Sequence, residues 1–335
     1  MKYSFSILFM LVTTVAWAAA DSLQYKNLVF EGGGVRGIAY AGALKVLDQR
    51  GILRSVERVG GTSVGAITAL LLAVGYSTDE MTAIMSDLRF EQFNDGRWFF
   101  VGGLHRMIRR FGWYRGEQFE RWLEDLIGRK TGNPNLTFAQ LHQRRGEAYK
   151  DLYVTGTNLT AQRTVVFSHL HTPDMALKTA VRISMSVPLY FGAVFLDDQQ
   201  RVVRRPKKGQ AYQILVDGGL TANYPLTLFD EDGQPNVETL GLKLERPEQL
   251  SYYQNRSGLA PYSIRSFNDY VSAFYNYVIE NLNRQPASAN EKSRTIYISM
   301  EGIRPRVRRM RADETERLYQ SGQRAAQLFQ PISVK

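Results

Sequence analysis

Val56-Glu57-Arg58-Val59-Gly60-Gly61-Thr62-Ser63-Val64-Gly65-Ala66-Ile67-Thr68-Ala69-Leu70-Leu71-Leu72-Ala73-Val74-Gly75 is the stretch whose reading decides the fold. It predicts a short strand over Val56–Val59 and an apolar helix from Ala66 to about Val74, with Gly75 at the C-terminal stop. Between them Gly61-Thr62-Ser63-Val64-Gly65 matches G-x-S-x-G, the nucleophile elbow. A serine on a very tight strand-to-helix turn projects its hydroxyl clear of the backbone. Small flanking residues let the chain make the turn and leave room for substrate. The bland alternative is a glycine-rich turn whose serine caps a helix. The pattern by itself recurs by chance, and the strand before and helix after are the context that favours the elbow.

Upstream, Leu28-Val29-Phe30 reads as a buried strand that runs into Glu31-Gly32-Gly33-Gly34-Val35-Arg36-Gly37. Ile38, Ala41, Leu44, Val46 and Leu47 then recur at helical spacing as far as Gln49. Two strand–loop–helix units in succession predict an α/β protein with a parallel sheet and helices on its faces. Two chemistries fit the loop. Glycines let main-chain N–H groups approach a reacting carbonyl, so the loop suits an oxyanion hole, with Arg36 orienting it or attracting an anionic head group. Gly32 to Gly37 also fits G-x-G-x-x-G, with Glu57 about 20 residues on as the ribose acid of a dinucleotide site. That acid should end the second strand, however, and Glu57 stands at its beginning.

Residues 78–145 read as mostly helical, followed by strands at Asp151–Thr155 and Arg163–Phe167 and a helix over Met175–Ser184. Gln213–Val216 is a strand ending at Asp217-Gly218-Gly219, where a carboxylate can face the same crevice as Ser63. Alone, Asp-Gly is a common turn. Strands at Glu238–Leu244 and Thr295–Ser299 and helices at Ser266–Asn283 and Glu314–Phe329 complete the expectation. The four histidines, His105, His142, His169 and His171, read as ordinary; His169-x-His171 has no third metal ligand in view along the chain. The absence of cysteine excludes disulfides, thiolate nucleophiles and Cys-ligated metals.

Residues 1–20 read as a secretory signal peptide: Lys2, an apolar run over Ile7–Val15, and small residues for cleavage after Ala20 or Ala18. The rest, 21–335, is expected to form one domain with its core over about 25–226, exported to the periplasm or the medium. The formal charge of +10 suits anionic membranes or nucleic acid, but solubility is the commoner use of any single basic cluster. No nucleic-acid module is recognisable, and export argues against that partner. Trp98 to Leu104, followed by Arg106, Arg109, Arg110, Phe111, Trp113 and Tyr114, mixes aromatics with cations as a membrane interface or lid does. A core helix with a solvated basic face explains the same residues.

Taken together, Gly32–Gly37, Gly61–Gly65 and Asp217–Gly219 stand in an order that resembles the patatin-like phospholipase family. Asp151–Phe167, Arg182–Pro188 and Asp217–Leu226 resemble further blocks of it, so the likeness spans about Tyr25 to Leu226. The resemblance implies a three-layer α/β/α fold with a mostly parallel central sheet. It also implies hydrolysis of fatty acyl esters in phospholipids or related lipids at a membrane surface. The family uses a Ser-Asp dyad without catalytic histidine, cofactor or metal. That assigns Ser63 as nucleophile and Asp217 as general base. The oxyanion hole falls to Gly32, Gly33, Gly34, Arg36 and Gly37 with the Val64 N–H, and Gly61, Gly65, Gly218 and Gly219 are motif glycines. Many members have alanine where Gly219 stands. Some members need a protein activator. A lipid-binding protein without turnover, on the same fold, is the competing class.

Overall fold

Asn27–Phe30 forms β1, fully buried, and pairs in parallel with β2, Arg58–Gly61. The computed structural model describes residues 24–96, 99–146, 148–204, 206, 209–255, 260–266, 269–270, 273–274, 277, 289–303 and 309–330. β2 starts two residues later than the pattern predicts. The Glu57 and Arg58 N–H groups both bond the Lys26 carbonyl, at 2.8 and 3.1 Å, and so bring the chain into the sheet at Arg58. Glu57 therefore precedes β2, at the end of the strand away from the glycine loop. The dinucleotide reading loses its ribose acid.

α1 (Ile38–Gln49) and α2 (Val64–Ala73) follow the two strands. α3 is Thr78–Asp87, opened by a Ser77–Glu80 capping box that satisfies orphan N–H groups. α4 is Phe99–Arg110, β3 Gly112–Tyr114, α5 Glu117–Thr131 and α6 Phe138–Gln143. β4 (Asp151–Asn158) and β5 (Arg163–Phe167) form an antiparallel pair. α7 is Leu177–Ser184; two short strands not foreseen from the sequence follow, β6 (Leu189–Phe191) and β7 (Val194–Leu196). β8 is Gln213–Asp217, α8 Gly219–Ala222, β9 Thr239–Glu245, α9 Pro247–Asn255, α10 Ala289–Ser293, β10 Thr295–Ser299 and α11 Ala312–Leu328. The helix expected over Ser266–Asn283 lies largely outside the described residues, as does the leader.

The central sheet runs β10-β9-β1-β2-β4-β8-β7, with β5 also on β4. β10, β9, β1, β2 and β4 are mutually parallel; β8, β7 and β5 join antiparallel. This is the expected α/β class with a mostly parallel sheet. Alternation along β1 divides the core. Leu28 and Phe30 face the large cluster with α1, α2, α5 and α7, while Val29 faces Tyr153 and Phe229 on the other side. α1 and α11 touch backbone to backbone: a Cβ on Gly42 would lie 2.0 Å from the Tyr319 carbonyl, and one on Gly322 1.9 Å from that of Ala39.

β4 sets the spacing of the two candidate catalytic residues. Gly61 at the end of β2 registers with Val154, and Asp217 at the end of β8 registers with Gly156. The two strand ends thus sit two residues apart on one template, about 7 Å of strand rise. β4 continues three residues past Thr155, to Asn158, because β5 and β8 pair there. Its polar end is satisfied by Thr157–Thr221 (2.9 Å) and Asn158–Gln213 (2.6 Å) side-chain bonds.

Candidate active site

Ser63 has φ 55° and ψ −123°, a strained conformation for a residue with a side chain, and it immediately precedes α2. The surroundings make this backbone obligatory. A Cβ on Gly61 would lie 2.4 Å from the backbone of Gly65, and one on Gly65 2.4 Å from the Phe30 carbonyl. Both motif glycines are therefore required by close approach of the main chain. The Ser63 N–H is held by the Ser184 hydroxyl at 2.8 Å. The Thr62 hydroxyl donates to the Ala222 carbonyl at 2.7 Å and accepts from Thr155 at 2.5 Å. The strain is thus held by neighbours on β4, α7 and α8.

Asp217 is 5% exposed and Ser63 8%. The Ser63 hydroxyl donates to the Met185 sulfur at 3.3 Å and lies close enough to the Asp217 carboxyl to favour its charged form. Burial pushes the Asp217 pKa up to about 7, while the Gly219 N–H (2.7 Å) and the Ser63 hydroxyl pull it down. No cation is among its stabilising partners; the donors are neutral. The Asp217 N–H bonds the Ser186 carbonyl at 3.0 Å, and a Cβ on Gly218 would be 2.6 Å from the Thr155 carbonyl. A side chain at 218 would push Asp217 off β4.

The glycine loop is aimed by its carbonyls. Within a peptide unit the C=O and N–H point in opposite directions. The buried Arg36 donates its Nε–H to the Gly33 carbonyl at 2.8 Å and reaches the Met300 sulfur through Nη1. That turns the Gly34 N–H the other way. Asn223 Nδ2 reaches the Gly32 carbonyl at 3.4 Å and does the same for the Gly33 N–H. Asn223 is tied in turn to Glu31 (3.5 Å), whose other oxygen accepts the Leu244 N–H at 2.9 Å.

Among the described residues the N–H groups of Gly33, Gly34 and Val64 have no protein acceptor, whereas the Gly32 N–H is taken by the Asn223 carbonyl at 3.0 Å. Three of the proposed donors remain available. The guanidinium of Arg36 lies under the loop, out of reach of a substrate head group, and acts on it as a positioner. Gly37 is a packing glycine: a Cβ there would be 2.4 Å from Val64 and 2.5 Å from Met85. Asn223, Thr155 and Ser184 went unflagged in the sequence because nothing local marks them. They lie 93 or more residues from the loop or elbow they support and meet it only through the sheet.

The histidines fall differently from the sequence expectation. His171 turns to the Ser168 hydroxyl (2.9 Å). His169 instead stacks on His142, with Asp151 beside both. In α4, Leu104, Ile108 and, just beyond it, Phe111 are exposed, while Arg106 is buried and bonds the Trp113 carbonyl at 2.7 Å. Trp98 lies outside the described residues, as do parts of the basic runs Arg201–Lys208 and Arg304–Arg311.

The family model for patatin-like phospholipases matches residues 28–230. The chain belongs to the patatin-like phospholipase family. It is similar to an uncharacterized protein of Acanthamoeba polyphaga mimivirus, 37% identical over 210 residues, 62% of this chain and 63% of the relative. It is similar as well to the "Probable lipid hydrolase 463L" of Invertebrate iridescent virus 6, 25% identical over 209 residues, 61% of this chain and 63% of the relative. The chain thus spans less than two thirds of either relative. In fold it is similar to VipD of Legionella pneumophila, with a TM-score of 0.57 at 17% identity over 91% of this chain and 66% of that one. The family is one of lipid hydrolases, which makes a lipid ester the substrate class to consider.

Proposed function

We propose that this protein hydrolyses fatty acyl esters of phospholipids or related lipids through a Ser63 acyl-enzyme, with Asp217 as the proton carrier. The observation that carries this is the contact between a strained Ser63 hydroxyl and a buried carboxyl whose pKa is pushed up to about 7. A carboxylate of pKa near the operating pH is a far better base than one near 4. Asp217 takes the hydroxyl proton as Oγ attacks the carbonyl carbon. The developing oxyanion faces the N–H groups of Gly33, Gly34 and Val64, beside the N-terminus of α2, each donor worth roughly 2.7–4 kcal/mol. Collapse expels the alcohol, which leaves with the proton from Asp217. Water then attacks the acyl-enzyme, losing its proton to Asp217, and the acid departs as Ser63 regains its hydrogen.

Serine-directed fluorophosphonate labelling is the test. Label on the wild type that disappears in Ser63→Ala and falls sharply in Asp217→Asn supports the reading. A folded wild type that stays unlabelled, with and without added host extract as a source of activator, defeats it and favours the lipid-binding alternative.

The substrate is met at a bilayer surface. Leu104, Ile108 and Leu189 are 58%, 67% and 64% exposed, and β3 pairs with β6 to put Gly112, just past α4, beside Leu189. Arg109 and Phe111 flank them. Burying two such side chains in the interface contributes about 1.5–3 kcal/mol each. Leu104→Asp with Ile108→Asp is expected to weaken binding to anionic vesicles about 100-fold or more, and co-sedimentation measures it. Export follows from reading residues 1–20 as a leader, which N-terminal sequencing of the mature protein checks.

A further inference from the structure

At the end of β4 remote from Ser63, three ligand-type side chains converge from separate elements. His142 lies in the last turn of α6, Asp151 opens β4, and His169 follows β5. One ligand atom from each lies within 4.8 Å of the others. His142 Nδ1 is 2.8 Å from Asp151 Oδ1, and His169 Nδ1 is 3.8 Å from the same oxygen. Asp151 is 2% exposed, yet its Oδ2 has no hydrogen-bond partner in the protein, and neither has His169 Nδ1. Arg145 Nη1 stands 3.6 Å from Oδ2, an ion-pair distance outside hydrogen bonding. Two buried polar atoms without partners in one cluster are costly and rare.

We propose that His142, Asp151 and His169 form a binding site for a divalent first-row transition ion, zinc being the best match. Two imidazoles and one carboxylate make an N₂O donor set that suits zinc and excludes a magnesium- or calcium-type cage. With Zn–N and Zn–O bonds of about 2.0–2.2 Å, tetrahedral ligand atoms lie about 3.4 Å apart. The present spread must contract by about 1.4 Å. The two imidazole rings, stacked at 3.9 Å and 7°, must also tilt so that their nitrogens converge. His142 can make that movement: its side chain is 41% exposed and it lies in the last turn of a six-residue helix. A solvent molecule completes the fourth position on that side. Arg145, 47% exposed, swings away as the ion takes its place beside Asp151. Asp151 and Gly156 are five residues apart on β4, about 17 Å, so the ion would clamp α6 and the β4–β5 pair without reaching Ser63.

The test uses the full chain without an affinity tag, stripped with EDTA and titrated calorimetrically with zinc. One saturable site with Kd of about 1 µM or tighter is expected, together with a melting midpoint a few degrees higher at saturating zinc. Cobalt(II) should give the visible absorption of a tetrahedral site. His142→Ala and Asp151→Asn, each checked for folding by circular dichroism, should lose the site. His105→Ala with His171→Ala should keep it, and Arg145→Gln should bind several-fold more tightly by removing the competing cation. Ser63→Ala should bind zinc as the wild type does, so this site stands or falls independently of the catalytic reading. Absence of saturable uptake, or uptake that survives in folded His142→Ala and Asp151→Asn, would overturn the proposal.

Discussion

The two ends of β4 each hold a buried carboxylate, and their surroundings differ in kind. Asp217, registered with Gly156, is met by the Gly219 N–H and the Ser63 hydroxyl, both neutral. Asp151, at the other end, is met by His142, His169 and Arg145. Neutral donors orient a carboxylate without cancelling its desolvation, so the proton is held near pH 7 and stays available for transfer. Asp151 instead stands among two imidazoles and a guanidinium, a ligand-type setting with no hydroxyl nucleophile among those partners. Burial alone does not make a base; burial without a counter-charge does.

The largest expected effect breaks the symmetry between the two. Asp217→Asn should lower kcat/KM by about 10⁴-fold or more, as Ser63→Ala should, while Asp151→Asn changes it by less than about threefold because the sites are far apart. A soluble ester substrate measures all three. Comparable losses in a folded Asp151→Asn protein would mean that the two ends are coupled through β4.

Next comes the loop. Arg36→Met leaves the Gly33 carbonyl without its donor and frees the Gly34 N–H from its direction. A loss of about 10²-fold in kcat with little change in KM is expected. Retained kcat would show that Arg36 serves packing only.

The pH profile sharpens the contrast further. On the proposed mechanism the active form is the Asp217 carboxylate, so kcat/KM should rise with pH, be half-maximal near pH 7, and fall about tenfold per unit below that. A midpoint near 4 would show that the carboxyl is solvated in the working enzyme.

The smallest effect is on stability. Asp217 binds its proton more tightly folded than unfolded. Its contribution is therefore fully present below about pH 4 and is lost as pH rises to about 7. Asp217→Asn removes that loss, and should be more stable than wild type by on the order of 2–4 kcal/mol at pH 8 and nearly equal at pH 4. Denaturant titration at the two pH values reads the difference.

Much of the first half was legible because its signals are local. The Leu28–Phe30 strand, the glycine loop, the elbow and the helices after each are encoded within a few residues, by sterics and by helical spacing. The start of β2 was misplaced: Val56 and Glu57 are strand-like, but the Lys26 carbonyl fixes entry at Arg58. β3, β6 and β7, three residues each, carry no period long enough to read. The histidines misled for a related reason. His169-x-His171 looks like a pair, yet the turn after β5 sends the two side chains apart and brings His142 from 27 positions away.

The sequence by itself determined which residues have the means for acyl transfer: a serine on a glycine-flanked turn, a glycine loop after a strand, and an aspartate at a strand end. These are short-range facts of steric freedom and residue chemistry. Only the tertiary structure decided their working state. Register on β4 set Ser63 against Asp217, burial among neutral donors raised the carboxyl pKa, and Arg36 and Asn223 aimed the loop. Those depend on desolvation and on hydrogen bonds closed across the sheet, which no local pattern along a chain contains.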